Sequence, residues 1–173
     1  MTEYTYRFSV IVPTYNRLEE IRELLASLEK QTFAHAGFEI IIVDDGSTDD
    51  TEACVRDFEK KGSLNLSFYK QDHKGPGPAR NTGMEHAAGE YYVFIDSDCI
   101  ADENWLKAYD EALKTQVAGF GGPDRVRADF SPLQKAIDYS MTSFITTGGI
   151  RGSSKKKISK YYPRSFNMGV RAD

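Results

Sequence analysis

Two carboxylates stand two residues apart in Glu90–Cys99, EYYVFIDSDC, at Asp96 and Asp98 with Ser97 between them. Unpaired, such a pair repels and costs desolvation energy. A divalent cation removes that cost. Mg²⁺ and Mn²⁺ prefer oxygen ligands, and Mg²⁺ usually takes one or two carboxylates plus phosphate oxygens of a substrate. The stretch therefore reads as a metal–phosphate site, with an acidic solvated turn as the alternative. Three further polar points share the same setting at the end of an apolar run or in a loop. They are Pro13-Thr14-Tyr15-Asn16, Asp44-Asp45-Gly46-Ser47, and the loop His73 to Pro78 with Lys74 inside it and Arg80 just beyond.

The elements that must position these groups alternate along the chain. Phe8–Val12, Phe38–Val43 and Tyr91–Ile95 are short, nearly continuous apolar runs, the pattern of buried parallel strands. Asn65–Tyr69 alternates, with Leu64, Leu66 and Phe68 on one face, as a half-buried strand does. Leu18, Ile21, Leu25 and Leu28 recur at helical spacing, with Asn16 and Glu19 as an expected capping box. Ser47 is the expected cap of a second helix running to about Lys60. Pro78 is the expected first residue of a third, whose Ala79, Gly83 and Ala87 form a small-residue stripe and which Gly89 ends. Asn104 or Asp102 is expected to cap a helix carrying Trp105, Leu106, Tyr109 and Leu113. Val117–Phe120 reads as a strand, Ser131-Pro132 as a helix start, and Ser165–Val170 as a final strand or turn. Residues 151–160 are polar and basic and are expected to form a mobile loop.

Strand–helix alternation implies parallel pairing with right-handed crossovers, an α/β fold. Ligands of such sheets bind beyond the carboxyl ends of the strands, at the switch in strand order. All four polar points then fall around one crevice. Turn chemistry explains any one of them alone; it explains their convergence less well.

Bulk properties exclude several classes. With 173 residues the chain fits one domain, and 40% hydrophobic with 28% charged residues is ordinary globular composition. A net charge of −4, from 22 basic and 26 acidic residues, does not suit a general nucleic-acid binder. Cys54 and Cys99 make no disulfide framework, and a reducing compartment is expected. MTEYTYRF lacks the pattern of a signal peptide, and no apolar run approaches the ~20 residues of a membrane span. The expected location is the cytoplasm, with peripheral membrane attachment left open. His35, His73 and His86 have no zinc-type spacing. Cys99 has no histidine placed to activate it. Trp105 reads as core, with stacking on a base or sugar as the alternative.

Taken together, VIVPTYNR (Val10–Arg17), IIIVDDGSTDDT (Ile40–Thr51), GPGPARNTGMEHAAGEYYVFIDSD (Gly75–Asp98) and, more weakly, NMGVR (Asn167–Arg171) resemble the family 2 glycosyltransferases. The resemblance implies the GT-A fold, a Rossmann-like mixed, mainly parallel sheet flanked by helices. It implies transfer of a sugar from a nucleoside diphosphate donor, UDP being the commonest, to a hydroxyl acceptor with inversion and with a divalent cation, Mn²⁺ or Mg²⁺. It places Pro13, Thr14 and Tyr15 around the nucleotide base, with Asp45 on the base imide and Asp44 beside it. Arg80 would lie near the nucleotide, and Lys74 is a looser phosphate contact. Asp96 would face the ribose or a metal-bound water, and Asp98 would bind the cation. Asn167 and its neighbours resemble the acceptor-side segment. The acceptor would be a saccharide or a lipid-linked sugar.

The family's catalytic base lies downstream of the segment resembled by Asn167–Arg171, and this chain stops at Asp173. No base is assignable in residues 1–173. The expectation is a single GT-A domain lacking its acceptor-side part, which binds donor better than it transfers sugar. A non-catalytic nucleotide-sugar binding module is the alternative. A nucleotidyltransferase would want a glycine-rich loop with a basic residue directly after the first strand, and a dinucleotide-binding oxidoreductase would want G-x-G-x-x-G there. Pro13-Thr14-Tyr15-Asn16 occupies that place instead.

Overall fold

A computed structural model of the chain describes residues 4–114, 117–122, 131–133 and 167–173. In chain order the elements are β1 (Tyr6–Thr14), α1 (Leu18–Leu28), a short 3-10 turn (His35–Gly37), β2 (Phe38–Asp44), α2 (Thr51–Lys61), β3 (Leu66–Lys70), α3 (Pro76–Glu85), β4 (Gly89–Ile95), α4 (Trp105–Ala112), β5 (Gly119–Gly121) and β6 (Asn167–Arg171). The strands form one sheet in the order β3-β2-β1-β4-β6-β5. β1 pairs in parallel with β2 and β4, and β2 with β3. β6 runs antiparallel to both β4 and β5, which makes the sheet mixed. The order reverses between β1 and its neighbours β2 and β4, so the switch point lies where the polar loops were expected to meet.

Side chains alternate across the strands and so serve two cores. Val10, Val12, Ile40, Ile42 and Val93 face one side with Ile21, Leu24, Leu25 and Leu28 of α1, Val55 and Phe58 of α2, and Leu106 and Tyr109 of α4. Ile41 and Val43 face the other side with Ala79 of α3. Burying each such aliphatic side chain contributes about 1.5–3 kcal/mol. The third helix comes close because it presents no side chain at Gly83. A Cβ there would lie 2.4 Å from Cγ2 of Ile11.

Several expected boundaries shift, each for a physical reason. Helix α3 starts at Pro76, two residues before Pro78, with Gly75 at φ +94° in the turn before it. Proline is at home in a first helical turn, so the Pro-Gly-Pro run initiates the helix and does not delay it. The same helix ends at Glu85, so Ala87 lies beyond it and Gly89 opens β4. Neither α1 nor α2 is capped as expected. Asn16, at φ +50°, and Ser47 bond other loops, and Asp49 serves both helices. One Asp49 carboxylate oxygen accepts the Leu18 amide at 3.2 Å and the other accepts the Thr51 amide at 3.1 Å. In α4 the capping position is Asn104, whose own amide donates to the Asp102 carboxylate at 2.9 Å. The strand expected at Val117–Phe120 is Gly119–Gly121. Pro132 and Leu133 are helical, in keeping with a start at Ser131-Pro132. The basic segment 151–160 lies outside the described residues.

Candidate functional site

The loops at the carboxyl ends of β1 and β4, with the start of α3, enclose a cleft lined by Pro13, Arg17, Pro76, Arg80, Asp96, Ser97 and Asp98, and the loop after β2 is hydrogen-bonded to the one after β1. The loops are rigidly interlocked. Asp44 is fully buried, and its carboxylate accepts the Ser47 amide at 3.2 Å and the Ser47 hydroxyl. Lys70 stands 3.6 Å from the same carboxylate and compensates its charge. The Ser47 hydroxyl oxygen accepts the Asn16 amide at 2.8 Å, and the Asn16 side-chain oxygen accepts the Thr48 amide at 2.8 Å. Asp44 therefore orders the loop after β2 and, through Ser47 and Asn16, the loop after β1.

Asp45 does the same for the loop before α3. Its side chain is 4% exposed. One oxygen accepts the Gln71 side-chain amide at 2.7 Å and the Lys74 backbone amide at 2.9 Å. The other accepts the Gly75 amide at 2.7 Å and lies 2.8 Å from His73 Nδ1. That nitrogen also faces the Asp45 carbonyl at 3.1 Å, so with acceptors on both sides it carries the proton. Burial would raise the Asp45 pKa. The Lys74 amide, the Gln71 side chain, the Gly75 amide and nearby His73 outweigh it and hold the carboxyl below its ordinary value. The expected base contact of Asp45 thus meets a carboxylate whose oxygens already hold the 71–75 loop. Lys74 is exposed and enters this network through its backbone.

Tyr15 is 42% exposed, and its ring lies 4.2 Å from the His73 ring, centroid to centroid. Thr14 is buried, and its hydroxyl oxygen has no hydrogen-bond partner. In the cleft itself Arg80 Nη2 is 2.5 Å from Asp96 Oδ1. The Arg80 Nε is buried without a hydrogen-bond partner. Asp98 is more open, with its side chain 55% exposed, and Arg17 Nη1 reaches within 4.0 Å of its Oδ2. The cleft thus sets two guanidinium groups against two carboxylates.

Asn167 stands apart from this group. Its side-chain oxygen accepts the Trp105 indole N–H at 3.2 Å and the Tyr109 hydroxyl, and its nitrogen donates to the Gly122 carbonyl at 3.1 Å. These bonds tie β6 to α4 and to the end of β5. The Asn167 side chain thus holds β6 to its neighbours, and its expected acceptor-side role is not decided by these bonds. Trp105 likewise packs against the core. Cys99 is half-buried, and its amide closes a turn onto the Asp96 carbonyl at 3.1 Å.

The structure therefore gathers Pro13, Arg80, Asp96 and Asp98 into one cleft; Thr14, Tyr15, Asp44, Asp45 and Lys74 lie outside its lining, at the ends of β1 and β2 and in the loops that follow the strands, and Asn167 opens β6. Arg17, Ser97 and Pro76 line the cleft without having been singled out. Arg17 was legible as the one basic residue following the loop after the first apolar run. A hard divalent cation suits this donor set. Asp96 and Asp98 supply two carboxylates, and among the described residues no group of three or more His, Cys, Asp or Glu side chains could hold a metal.

A mixed six-stranded sheet with a polar cleft at the carboxyl ends of its parallel strands is the GT-A class of glycosyltransferase domain. Residues 9–171 match the model of glycosyl transferase family 2, and the chain belongs to that family. Over 101 residues, 58% of this chain, it is 45% identical to the poly(ribitol-phosphate) β-N-acetylglucosaminyltransferase TarS of Staphylococcus aureus. The crystal structure of TarS 1–349 in complex with UDP-GlcNAc aligns with a TM-score of 0.66 and 36% identity, covering 73% of this chain and 37% of that one. The mannosyltransferase PcManGT from Pyrobaculum calidifontis, solved in complex with GDP-Man and Mn²⁺, aligns with a TM-score of 0.71 over 97% of this chain and 45% of its own. At 23% identity that likeness speaks for the fold alone. The chain spans 18% of the length of TarS. Among the described residues no helix is long and apolar enough to cross a membrane.

Proposed function

We propose that these residues form the donor-binding part of an inverting glycosyltransferase that takes a UDP-sugar and glycosylates a hydroxyl acceptor with the help of a divalent cation. The observation that carries this reading is the meeting of Arg17, Arg80, Asp96 and Asp98 at the carboxyl ends of β1 and β4. A nucleoside diphosphate needs cationic and hydrogen-bonding groups for its phosphates and an apolar or aromatic surface for its base. Arg80, which lines the cleft, suits a phosphate or ribose oxygen, and Pro13 and Tyr15 suit the base. Asp96 and Asp98 are the residues that would hold the cation, whose Lewis acidity would stabilise charge growing on the departing diphosphate. Asp44 and Asp45 keep the loops around this site in place. The family relation to a UDP-GlcNAc-binding enzyme supports UDP over other nucleotides and, as acceptor, a hydroxyl of a saccharide or polyol polymer. A cytoplasmic, membrane-peripheral location goes with that chemistry. The base that deprotonates the acceptor has no assignment among the described residues.

Calorimetric titration of UDP, GDP and TDP with Mn²⁺, and again with EDTA, tests the reading. Binding that needs Mn²⁺ and prefers UDP supports it. Binding indifferent to EDTA refutes the metal assignment, and lack of any nucleotide binding refutes the donor site.

A further inference from the structure

Resting on that donor-site reading, we propose that Arg17 is a charge-exchanging positioning residue: it competes with a divalent cation for Asp98 and, once displaced, serves the donor diphosphate. The two guanidinium groups of the cleft are held very differently. Arg80 is 16% exposed and bonded to Asp96 at 2.5 Å, which fixes it. Arg17 is 47% exposed and reaches Asp98 at 4.0 Å, beyond hydrogen-bond length, so that pairing is Coulombic and easily exchanged. Its other anionic contact is Glu20, one turn into α1, at 3.0 Å. Arg17 also occupies the capping position of α1 without making a side-chain cap bond, and its side chain is tied to the helix start through the exposed ion pair with Glu20.

These facts give Arg17 two opposed effects. A cation on Asp98 would stand close to the Arg17 charge, and like charges repel, so Arg17 weakens cation binding in the absence of nucleotide. A diphosphate reverses the sign, because the anion attracts both. The planar fork of an arginine fits phosphate oxygens as well as carboxylates, so the side chain can turn from Asp98 to the diphosphate without leaving the cleft. A residue that merely contacts phosphate, or merely supports the fold, would not touch the affinity for metal alone.

The test is a pair of titrations on the whole chain as wild type, Arg17→Gln and Arg17→Lys: Mn²⁺ alone, then UDP at saturating Mn²⁺. Arg17→Gln should bind Mn²⁺ alone about threefold more tightly, the scale of an exposed ionic interaction. The same variant should bind UDP about tenfold more weakly, the scale of one charge-assisted hydrogen bond. Arg17→Lys, which keeps the charge, should stay close to wild type in the first titration and lose less in the second. Unchanged or weaker Mn²⁺ binding by Arg17→Gln overturns the proposal, as does unchanged UDP binding. If wild type itself fails to bind UDP with Mn²⁺, the donor-site reading falls and takes this one with it. If wild type binds and Arg17→Gln does not differ, only the role of Arg17 falls.

Discussion

Replacing Asp45 by asparagine keeps the shape of the side chain and exchanges one acceptor oxygen for a donor. In the native loop both oxygens accept: Gln71 and Lys74 at 2.7 and 2.9 Å on one, Gly75 at 2.7 Å on the other. Asparagine must therefore point its NH₂ at a donor whichever way it turns. An orphaned buried donor costs about 1–3 kcal/mol, and the surviving bonds lose the assistance of the charge. The loss should be about 2–4 kcal/mol, a large share of the about 5–15 kcal/mol that holds a domain folded. With a urea slope of about 2 kcal/mol/M it appears as a midpoint lowered by about 1–2 M. The effect should also depend on pH. The folded-state pKa of Asp45 lies below 3.8, its ordinary value. A depressed carboxylate contributes stability that is fully present above the unfolded pKa and is lost as pH falls through the folded one. The gap between wild type and Asp45→Asn should thus be constant near neutrality and narrow below about pH 4. A midpoint within 0.3 M of wild type, taken as about the scatter of such measurements, would refute the argument. So would a gap that is undiminished in acid.

Three further outcomes follow from the same geometry. Asp98→Ala should abolish Mn²⁺-dependent UDP binding while thermal unfolding stays within about 1 °C of wild type, because an exposed surface change is nearly neutral for stability; retained metal-dependent binding would remove Asp98 from the site. Gly83→Ala should cost about 1–3 kcal/mol in urea unfolding, because its Cβ would meet the branched side chain of Ile11 at 2.4 Å and over-pack the sheet face. Asn167→Leu should cost about 2–4 kcal/mol, since it strands the Trp105 and Tyr109 donors and the Gly122 carbonyl, while leaving the affinity for UDP within about twofold.

The parallel half of the fold was legible because β1, β2 and β4 are apolar runs too short for helices, and α1 repeats its leucines at helical spacing. Where the expectations failed, long-range contacts outweighed local ones. Asn16 and Ser47 have the chemistry of helix caps, and each is spent on the neighbouring loop. Asp49 caps from a position that serves two helices at once, which no local pattern announces. In the site, the aspartates stood out by type and spacing, but their division of labour did not. Buried Asp44 binds its own loop and buried Asp45 the loop before α3, whereas Asp96 and Asp98 face the cleft; identical letters conceal that difference in exposure. Arg17 drew no notice because one basic residue after a turn is common, and its meaning comes only from the nearness of Asp98.

The place of β6 has a consequence for the order of synthesis. Among the described strands β6 is the last to be made, and it inserts between β4 and β5, so β4 waits for its second neighbour until Arg171 has been added. At about 5–20 residues per second, that wait lasts roughly 4–15 s. During it, β3-β2-β1-β4 can assemble with α1, α2 and α3, while the free edge of β4 offers unpaired amides and carbonyls alongside Tyr91 and Val93. Such an edge is a template for the wrong strand. The nascent protein therefore passes through a stage in which the loops around its cleft can form while the border of β4 is still open, and β6 closes that border.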